Sequence, residues 1–249
     1  MRFTFAGTEY PGCEGETLAA ALVRNGVLGG FRSLYRNRPR GVYTAGEEEP
    51  NALVQIGARP LLRATLVELE DGLAAEPLAG KGRLVAAPDE TRYDTIHAHC
   101  DVLVVGAGRS GVAAAAAAAG RVLLVDAGRG AVGLSQTWVV GLYDDNYAVA
   151  VEAERRIWRI RAKRIVLATG AIERPLIYPD NDRPGVMLAG AFERYGRPVG
   201  ATPVSGGWSP RVHLWSQARG RLRWDDRIGA PVPDGELRGI ECVGSVRCV

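Results

Sequence analysis

DVLVVGAGRSGVAAAAAAAGRVLLVD, residues 101–126, decides how the 249-residue chain is read. It opens on the β-branched and leucine run Val102 to Val105, passes Gly106, Gly108 and Gly111, and continues through seven alanines. A second apolar run, Val122 to Val125, then ends in Asp126. Short apolar runs on either side of a glycine turn and an alanine-rich stretch predict strand, helix, strand. In a G-x-G-x-x-G turn that follows a strand, each glycine has its own task. Gly106 permits the tight turn, Gly108 lets a pyrophosphate approach the backbone, and Gly111 lets the helix pack close to the strand. The helix N-terminus then offers unpaired N–H groups and a favourable dipole to the phosphates. Asp126 lies 20 residues beyond Gly106, at the end of the second strand. A carboxylate there accepts hydrogen bonds from a ribose 2′-hydroxyl and repels a 2′-phosphate, which favours NAD or FAD over NADP.

Two features complicate this reading. Arg109 and Ser110 stand inside the loop, where the Arg109 guanidinium either clamps the pyrophosphate or takes its place. The helix, expected over 109–119, is about 16 Å long at 1.5 Å per residue, and its alanines offer little apolar volume with which to cover a sheet. A glycine turn that has kept its fold and lost its ligand is the alternative.

Working outward, WRIRAKRIVLATG (158–170) carries a strand at 164–168 that ends in Thr169 and Gly170, and a helix is expected near 186–195. Strands whose loops gather at their carboxyl ends fit a doubly wound α/β sheet. Upstream, RFTF (2–5) alternates as a strand, TLAAALVRNG (17–26) reads as a helix capped by Thr17 and stopped by Gly26, and NALVQIG (51–57) and LLRATLVELEDG (61–72) alternate as strands. The division expected is a small α+β domain over 1–75, a Gly-, Pro- and charge-rich linker over 76–96, and the nucleotide-binding-type domain over 97–249.

Composition narrows the function classes. Apolar residues make up 47% of the chain, enough for buried cores, and the formal charge is +3 with the arginines scattered. Neither nucleic acid nor a membrane is implied as partner. No apolar stretch reaches the roughly 20 residues of a membrane span, and MRFTFAGTEYPG lacks a signal-peptide core, so a cytoplasmic location is expected. The cysteines at 13, 100, 242 and 248 form neither a disulfide framework nor a metal site, and Cys13 alone in the N-terminal region argues against iron–sulfur ligation. Of the histidines, His97 and His99 are expected before the first sheet strand, away from the glycine loop, and His213, between Trp208 and Trp215, reads as structural. No catalytic pair stands out, which excludes a self-contained hydrolase. It does not exclude hydride chemistry, where the cofactor supplies the reacting atoms.

Longer blocks carry a more specific likeness. RSLYRNRPRGVYTAGEEEPNALVQIG (32–57), RYDTIHAHCDVLVVGAG (92–108), VVGLYDDNYAVAVE (139–152), RIWRIRAKRIVLATGAIERPLIYPDNDRPGVMLAGA (156–191) and VSGGWSPRVHLWSQARGRLRWDDRIGAPVPD (204–234) resemble, in order, the alpha subunit of heterotetrameric sarcosine oxidase. The resemblance implies a cluster-free ferredoxin-like domain followed by a Rossmann-like FAD/NAD(P)-binding domain that holds NAD. It implies beta, gamma and delta partner subunits, with FAD and FMN on or at the beta subunit, and oxidative demethylation of sarcosine to glycine by the assembly. Cofactor contacts are expected at Gly106, Gly108, Arg109, Ser110, Gly111, Asp126, Thr169 and Gly170. The departures are a short linker, a short fingerprint helix, a missing insert between Tyr195 and Ala201, and no folate-binding domain. They point to a compact relative, a broken gene product or a fragment, and the isolated chain is expected to be inactive. A non-catalytic scaffold that retains the fold is the competing expectation, and a free-standing small amine oxidoreductase a weaker third.

Overall fold

The structure, a computed structural model, describes residues 1–78, 90–128, 130–153 and 155–247. Two compact units emerge: Met1–Pro88 with Glu173–Gly207, and Asp89–Ile172 with Trp208–Val249.

In the first unit, β1 (Arg2–Phe5) and β2 (Thr8–Pro11) form a hairpin whose turn places Ala6 and Gly7 at positive φ. Phe3 and Phe5 alternate inward with Arg2 and Thr4 outward, the period of a half-buried strand. Helix α1 (Leu18–Arg24) follows, its Thr17 side chain accepting from the Ala20 N–H at 3.2 Å, and Gly26 at φ +77° lets the chain leave. Its Leu18, Leu22 and Val23 pack on Phe3, Phe5, Phe31 and Val54. The short pair β3 (Phe31–Arg32) and β4 (Pro39–Arg40) precedes β5 (Leu53–Ile56), β6 (Arg59–Arg63) and β7 (Ala74–Pro77), giving a sheet ordered β2-β1-β7-β5-β6. The strand expected over 61–72 stops at Arg63. Beyond it the chain turns over 64–66, Thr65 points its hydroxyl to the Gly46 carbonyl, and Leu69 drops into the core.

A buried carboxylate holds the segment between β4 and β5. Glu49, 2% exposed, accepts at one oxygen from the Tyr43 and Thr44 N–H groups and the Thr44 hydroxyl. At the other it accepts from the Asn51 and Ala52 N–H groups. Four backbone donors that no strand could pair are satisfied by one side chain.

The second unit begins with β8 (Asp94–Val105), α2 (Arg109–Ala117) and β9 (Val122–Val125), the strand-helix-strand unit expected, and continues through β10 (Thr137–Tyr143), β11 (Tyr147–Glu152) and β12 (Arg156–Leu167). β8 and β12 run parallel along their whole length, β9 lies parallel to β8, and β10 and β11 add antiparallel to the first half of β12. His97 and His99 therefore lie inside β8, not before it, on exposed positions of its early half. Of the linker expected over 76–96, residues 79–89 lie outside the described residues, while β7 and β8 take up its two ends.

The chain then passes through β13 (Ala171–Glu173) into the first unit, where β14 (Val186–Leu188), α3 (Ala189–Arg194) and β15 (Thr202–Val204) lie. Residues 173–207, expected in the second domain, pack with the first. Leu188 and Ala191 bury Tyr43, the Leu188 N–H bonds the Tyr43 carbonyl at 2.8 Å, and the Tyr195 hydroxyl donates to the Thr44 carbonyl at 3.0 Å. The helix expected near 186–195 runs only over 189–194, because β14 takes its first three residues and Tyr195 caps its end. The chain returns to the second unit with β16 (Trp208–Pro210), α4 (His213–Gln217), β17 (Arg221–Asp225), β18 (Ala230–Asp234) and β19 (Ile240–Cys242). β19 runs parallel to the last residues of β12. Among the described residues no helix is long and apolar enough to cross a membrane.

Candidate functional site

Four parallel strands, β9, β8, β12 and β19, end side by side, and their carboxyl-end loops converge. From β8 the chain crosses through α2 to β9 on one flank, while β12 occupies the other. Crevices at such a reversal of strand order are where open α/β sheets hold ligands.

The glycine loop is built by close approach. After Val105 the backbone turns at Gly106 with φ +105°, and a Cβ there would stand 2.3 Å from the Ala168 carbonyl oxygen. At Gly111 a Cβ would stand 1.7 Å from the Gly106 carbonyl oxygen and 3.2 Å from the Ala168 Cβ, so α2 is pressed onto β8 and β12. Gly108 is different. It caps α2 with φ −68° and ψ 179°, an ordinary extended conformation, and a Cβ there would meet nothing within 4 Å. No side chain caps α2, which leaves the N–H groups of its first turn facing this open space.

Helix α2 has nine residues and stops at Ala117, not 119. Its end is set by Asp101, whose carboxylate fills the place of a Cβ on Gly120, accepts the Arg121 N–H at 2.8 Å and pairs with Lys163 at 2.6 Å. The chain must turn there to enter β9. The alanines cover a small apolar patch of Val102, Val104, Leu124 and Val166, while the larger core lies on the opposite face of the sheet around Leu103, Ile160, Ile165 and Trp215.

The remaining expected residues are distributed as follows. Asp126 stands at the end of β9, its carboxylate accepting from the Ala107 N–H at 2.6 Å and the Gly128 N–H at 2.5 Å, so it braces the glycine loop. Arg109, the first residue of α2, is exposed. Thr169 borders Gly106 through its backbone, but its hydroxyl donates to the Arg211 carbonyl at 2.9 Å, and the Gly170 carbonyl takes the Arg211 N–H at 3.0 Å. These two residues tie the loop after β12 to Arg211, just beyond Pro210. Ser110 faces Gly244, where a Cβ would stand 2.3 Å from the Ser110 Oγ. The 3-10 turn Gly244–Val246 therefore closes the fourth side of the loop cluster. Sequence reasoning left Gly244 out of the site; its signal is a glycine two residues beyond the last short strand.

Other reactive groups lie elsewhere. Burial pushes the Cys242 thiol up to about 11, so it is protonated at neutral pH and packs as an apolar side chain. His213 opens α4 on an exposed position. Among the described residues no group of three or more His, Cys, Asp or Glu side chains is arranged to hold a metal ion.

Residues 1–79 match the model of a 2Fe-2S iron-sulfur cluster binding domain. The residues present do not fit the cluster: that segment holds one cysteine, the exposed Cys13, and no histidine, where a [2Fe–2S] centre takes four thiolates or two thiolates and two imidazoles. The chain is 38% identical to the sarcosine oxidase subunit alpha of Corynebacterium sp. (strain U-96) over 78% of its own length and 26% of that relative's. The subunit alpha of Corynebacterium sp. (strain P-1) gives 40% over 77% and 26%. That of Rhizobium meliloti (strain 1021) gives 35% over 82% and 31%. The chain thus spans between a quarter and a third of these relatives. In fold it is similar to L-proline dehydrogenase from P. horikoshii, with a TM-score of 0.76, 20% identity, and coverage of 99% of this chain and 68% of that one.

Proposed function

We propose that this chain is the nucleotide-binding part of an oxidoreductase assembly of sarcosine-oxidase type, with NAD held at the loop Gly106 to Gly111. The observation that carries the reading is the contrast among the three glycines. Packing accounts for Gly106 and Gly111, but nothing among the described residues accounts for the open space at Gly108 beside an uncapped helix start. A pyrophosphate fits that cradle, taking N–H groups from the first turn of α2 with Arg109 and Ser110 at its side. Asp126 faces the ribose from the end of β9 and disfavours a 2′-phosphate, while Thr169 and Gly170 fix the backbone wall opposite. When bound, NAD supplies a nicotinamide that accepts or gives a hydride.

Similarity to sarcosine oxidase alpha subunits supports the rest of the reading. Beta, gamma and delta partners complete the assembly in the cytoplasm, FAD and FMN sit on or at the beta subunit, and oxidation of sarcosine to glycine takes place there. Among the described residues no acid–base pair is arranged for that step. Purified alone, with FAD, FMN and NAD added, it is expected to release no hydrogen peroxide from sarcosine. Steady turnover by the single chain, measured with a peroxidase-coupled assay, overturns that division of labour.

A scaffold that retains the fold and binds no nucleotide is the second reading, favoured by one observation: both Asp126 oxygens are already engaged by backbone N–H groups. Gly108→Ala separates the two. Its backbone conformation suits alanine and its Cβ meets nothing, so stability should change by less than about 1 kcal/mol, the small entropic gain offsetting the poorer cap. Isothermal titration of the unaltered chain should show tighter binding of NAD than of NADP, and Gly108→Ala should weaken NAD by about tenfold, about 1.4 kcal/mol. No measurable binding to the unaltered chain leaves the scaffold reading.

A further inference from the structure

The early half of the sheet in the second unit has one face in the core and one face open. Cross-strand register places His99, Arg161, Tyr147 and Tyr143 in one row across β8, β12, β11 and β10. The next row is His97, Arg159, Val149 and Gly141, and the third ends on Val151 and Trp138. Helix α2 covers only the later half, over Val102, Val104 and Val166. Where antiparallel strands such as β10 and β11 leave one face open to solvent, that face is ordinarily polar. This one carries tyrosine, tryptophan, valine, arginine and histidine, and Tyr143 is 56% exposed. Aromatic residues and arginine are the types enriched where proteins meet.

The arginines are set for a partner. Among the described residues no ion pair joins Arg159 or Arg161 to a carboxylate, whereas neighbouring Arg156, Arg164 and Lys163 are each paired with one. The Arg161 guanidinium lies 5.1 Å from the centre of the Tyr147 ring, which is itself 5.9 Å from the Tyr143 ring. Stacking of this sort holds a guanidinium flat and leaves its N–H edge free for a carboxylate. At two residues apart along β12, the two arginines stand about 7 Å apart. That spacing matches carboxylates at alternate positions of an extended chain.

We propose that this sheet face is a docking surface for an acidic segment of a protein partner, its carboxylates meeting Arg159 and Arg161 and an apolar side chain resting over Val149 beside the Tyr143 ring, which itself lies over Gly141. The inference stands apart from the nucleotide reading and involves none of its residues. A continuous polyanion such as nucleic acid fits less well, because Lys163 is neutralised by Asp101 and the turn residues Asp144 and Asp145 stand at the end of the Tyr143 row.

The test uses the full chain and a fluorescein-labelled peptide in which glutamate alternates with leucine and serine, alongside its glutamine counterpart. Fluorescence anisotropy at low salt should show binding of the glutamate peptide and not of the glutamine one. Amide exchange should slow over 143–151 and 156–163 when the peptide is present. R159E/R161E should weaken binding by about tenfold or more and R159Q/R161Q by less, while the control reversal R183E/R197E on the other unit leaves it unchanged. Equal loss in the control, protection elsewhere than this face, or stronger binding of a (dT)20 oligonucleotide at the same face overturns the proposal. Circular dichroism of each variant confirms that the sheet is intact, and the glutamine pair keeps the test valid if charge reversal unfolds the chain.

Discussion

Gly111→Ala is expected to destabilise the second unit by about 3 kcal/mol, the upper end of what overpacking costs, and to abolish nucleotide binding with it. The added methyl would stand 1.7 Å from the Gly106 carbonyl oxygen, about half a normal contact, and 3.2 Å from the Ala168 Cβ. Neither obstacle is the tip of a flexible side chain. The carbonyl belongs to a residue at φ +105° whose own Cβ position is filled by the Ala168 carbonyl, so Gly106 cannot retreat toward β12. Relief must come from lifting α2 off the sheet. The helix is the wrong one to lift, because its contacts are made by alanines over a small apolar patch and weaken steeply with distance. Thermal unfolding and amide exchange over 101–126 measure the effect. Against Gly108→Ala, which keeps the fold and reports the ligand, Gly111→Ala should lose both. A Gly111→Ala protein as stable as the parent would mean that α2 does not sit on β8 as described.

Much of this arrangement is legible in the sequence because it rests on short-range constraints. A strand, a turn that needs a positive φ at Gly106, a helix that needs a missing side chain at Gly111, and a second strand ending in Asp126 lie within 26 residues. The alanine run has strong helix propensity throughout and by itself predicts a helix two residues longer than α2. What ends it is Asp101, 20 residues before Arg121 and fixed by Lys163 from β12. Asp126 likewise reads as a ribose acceptor by spacing, whereas its contacts with Ala107 and Gly128 appear only when β9 is laid beside β8. The least legible feature is the return of 173–207 to the first unit. Tyr43 meets Leu188 and Ala191, and Thr44 meets Tyr195, across about 150 residues, and no periodicity in either segment announces the other. Gly244 against Ser110 is missed for the same reason.

Glu49 shows how a structural keystone can pass for surface charge, and Glu49→Gln should cost the first unit about 3–5 kcal/mol. EEEP, residues 47–50, holds three successive glutamates, and the third is 2% exposed. Its carboxylate receives two N–H donors at one oxygen and two N–H donors plus a hydroxyl at the other. Glutamine keeps the shape and one acceptor oxygen. Whichever way its amide is turned, an NH2 group faces two backbone N–H donors, so those donors lose their acceptor and are opposed by like dipoles. Hydrogen bonds to a charged group contribute about 1.5–3 kcal/mol each, and a buried donor left without a partner costs about 1–3 kcal/mol. The losses share one side chain and do not add in full. Glu49→Asp should fall between the two, because the shorter side chain keeps the charge but reaches only one pair of donors. Denaturant unfolding followed by a probe in the first unit gives the magnitude, and amide exchange at 43, 44, 51 and 52 locates it. If Glu49→Gln costs less than about 1 kcal/mol, the ordinary value of a single exposed hydrogen bond, the turn is held by the docking of Leu188, Ala191 and Tyr195 and the carboxylate is incidental. If those four amides exchange freely while the hairpin of β1 and β2 stays protected, the clamp is the element that keeps the segment between β4 and β5 in place, and the partner surface it presents to 173–207 is lost with it.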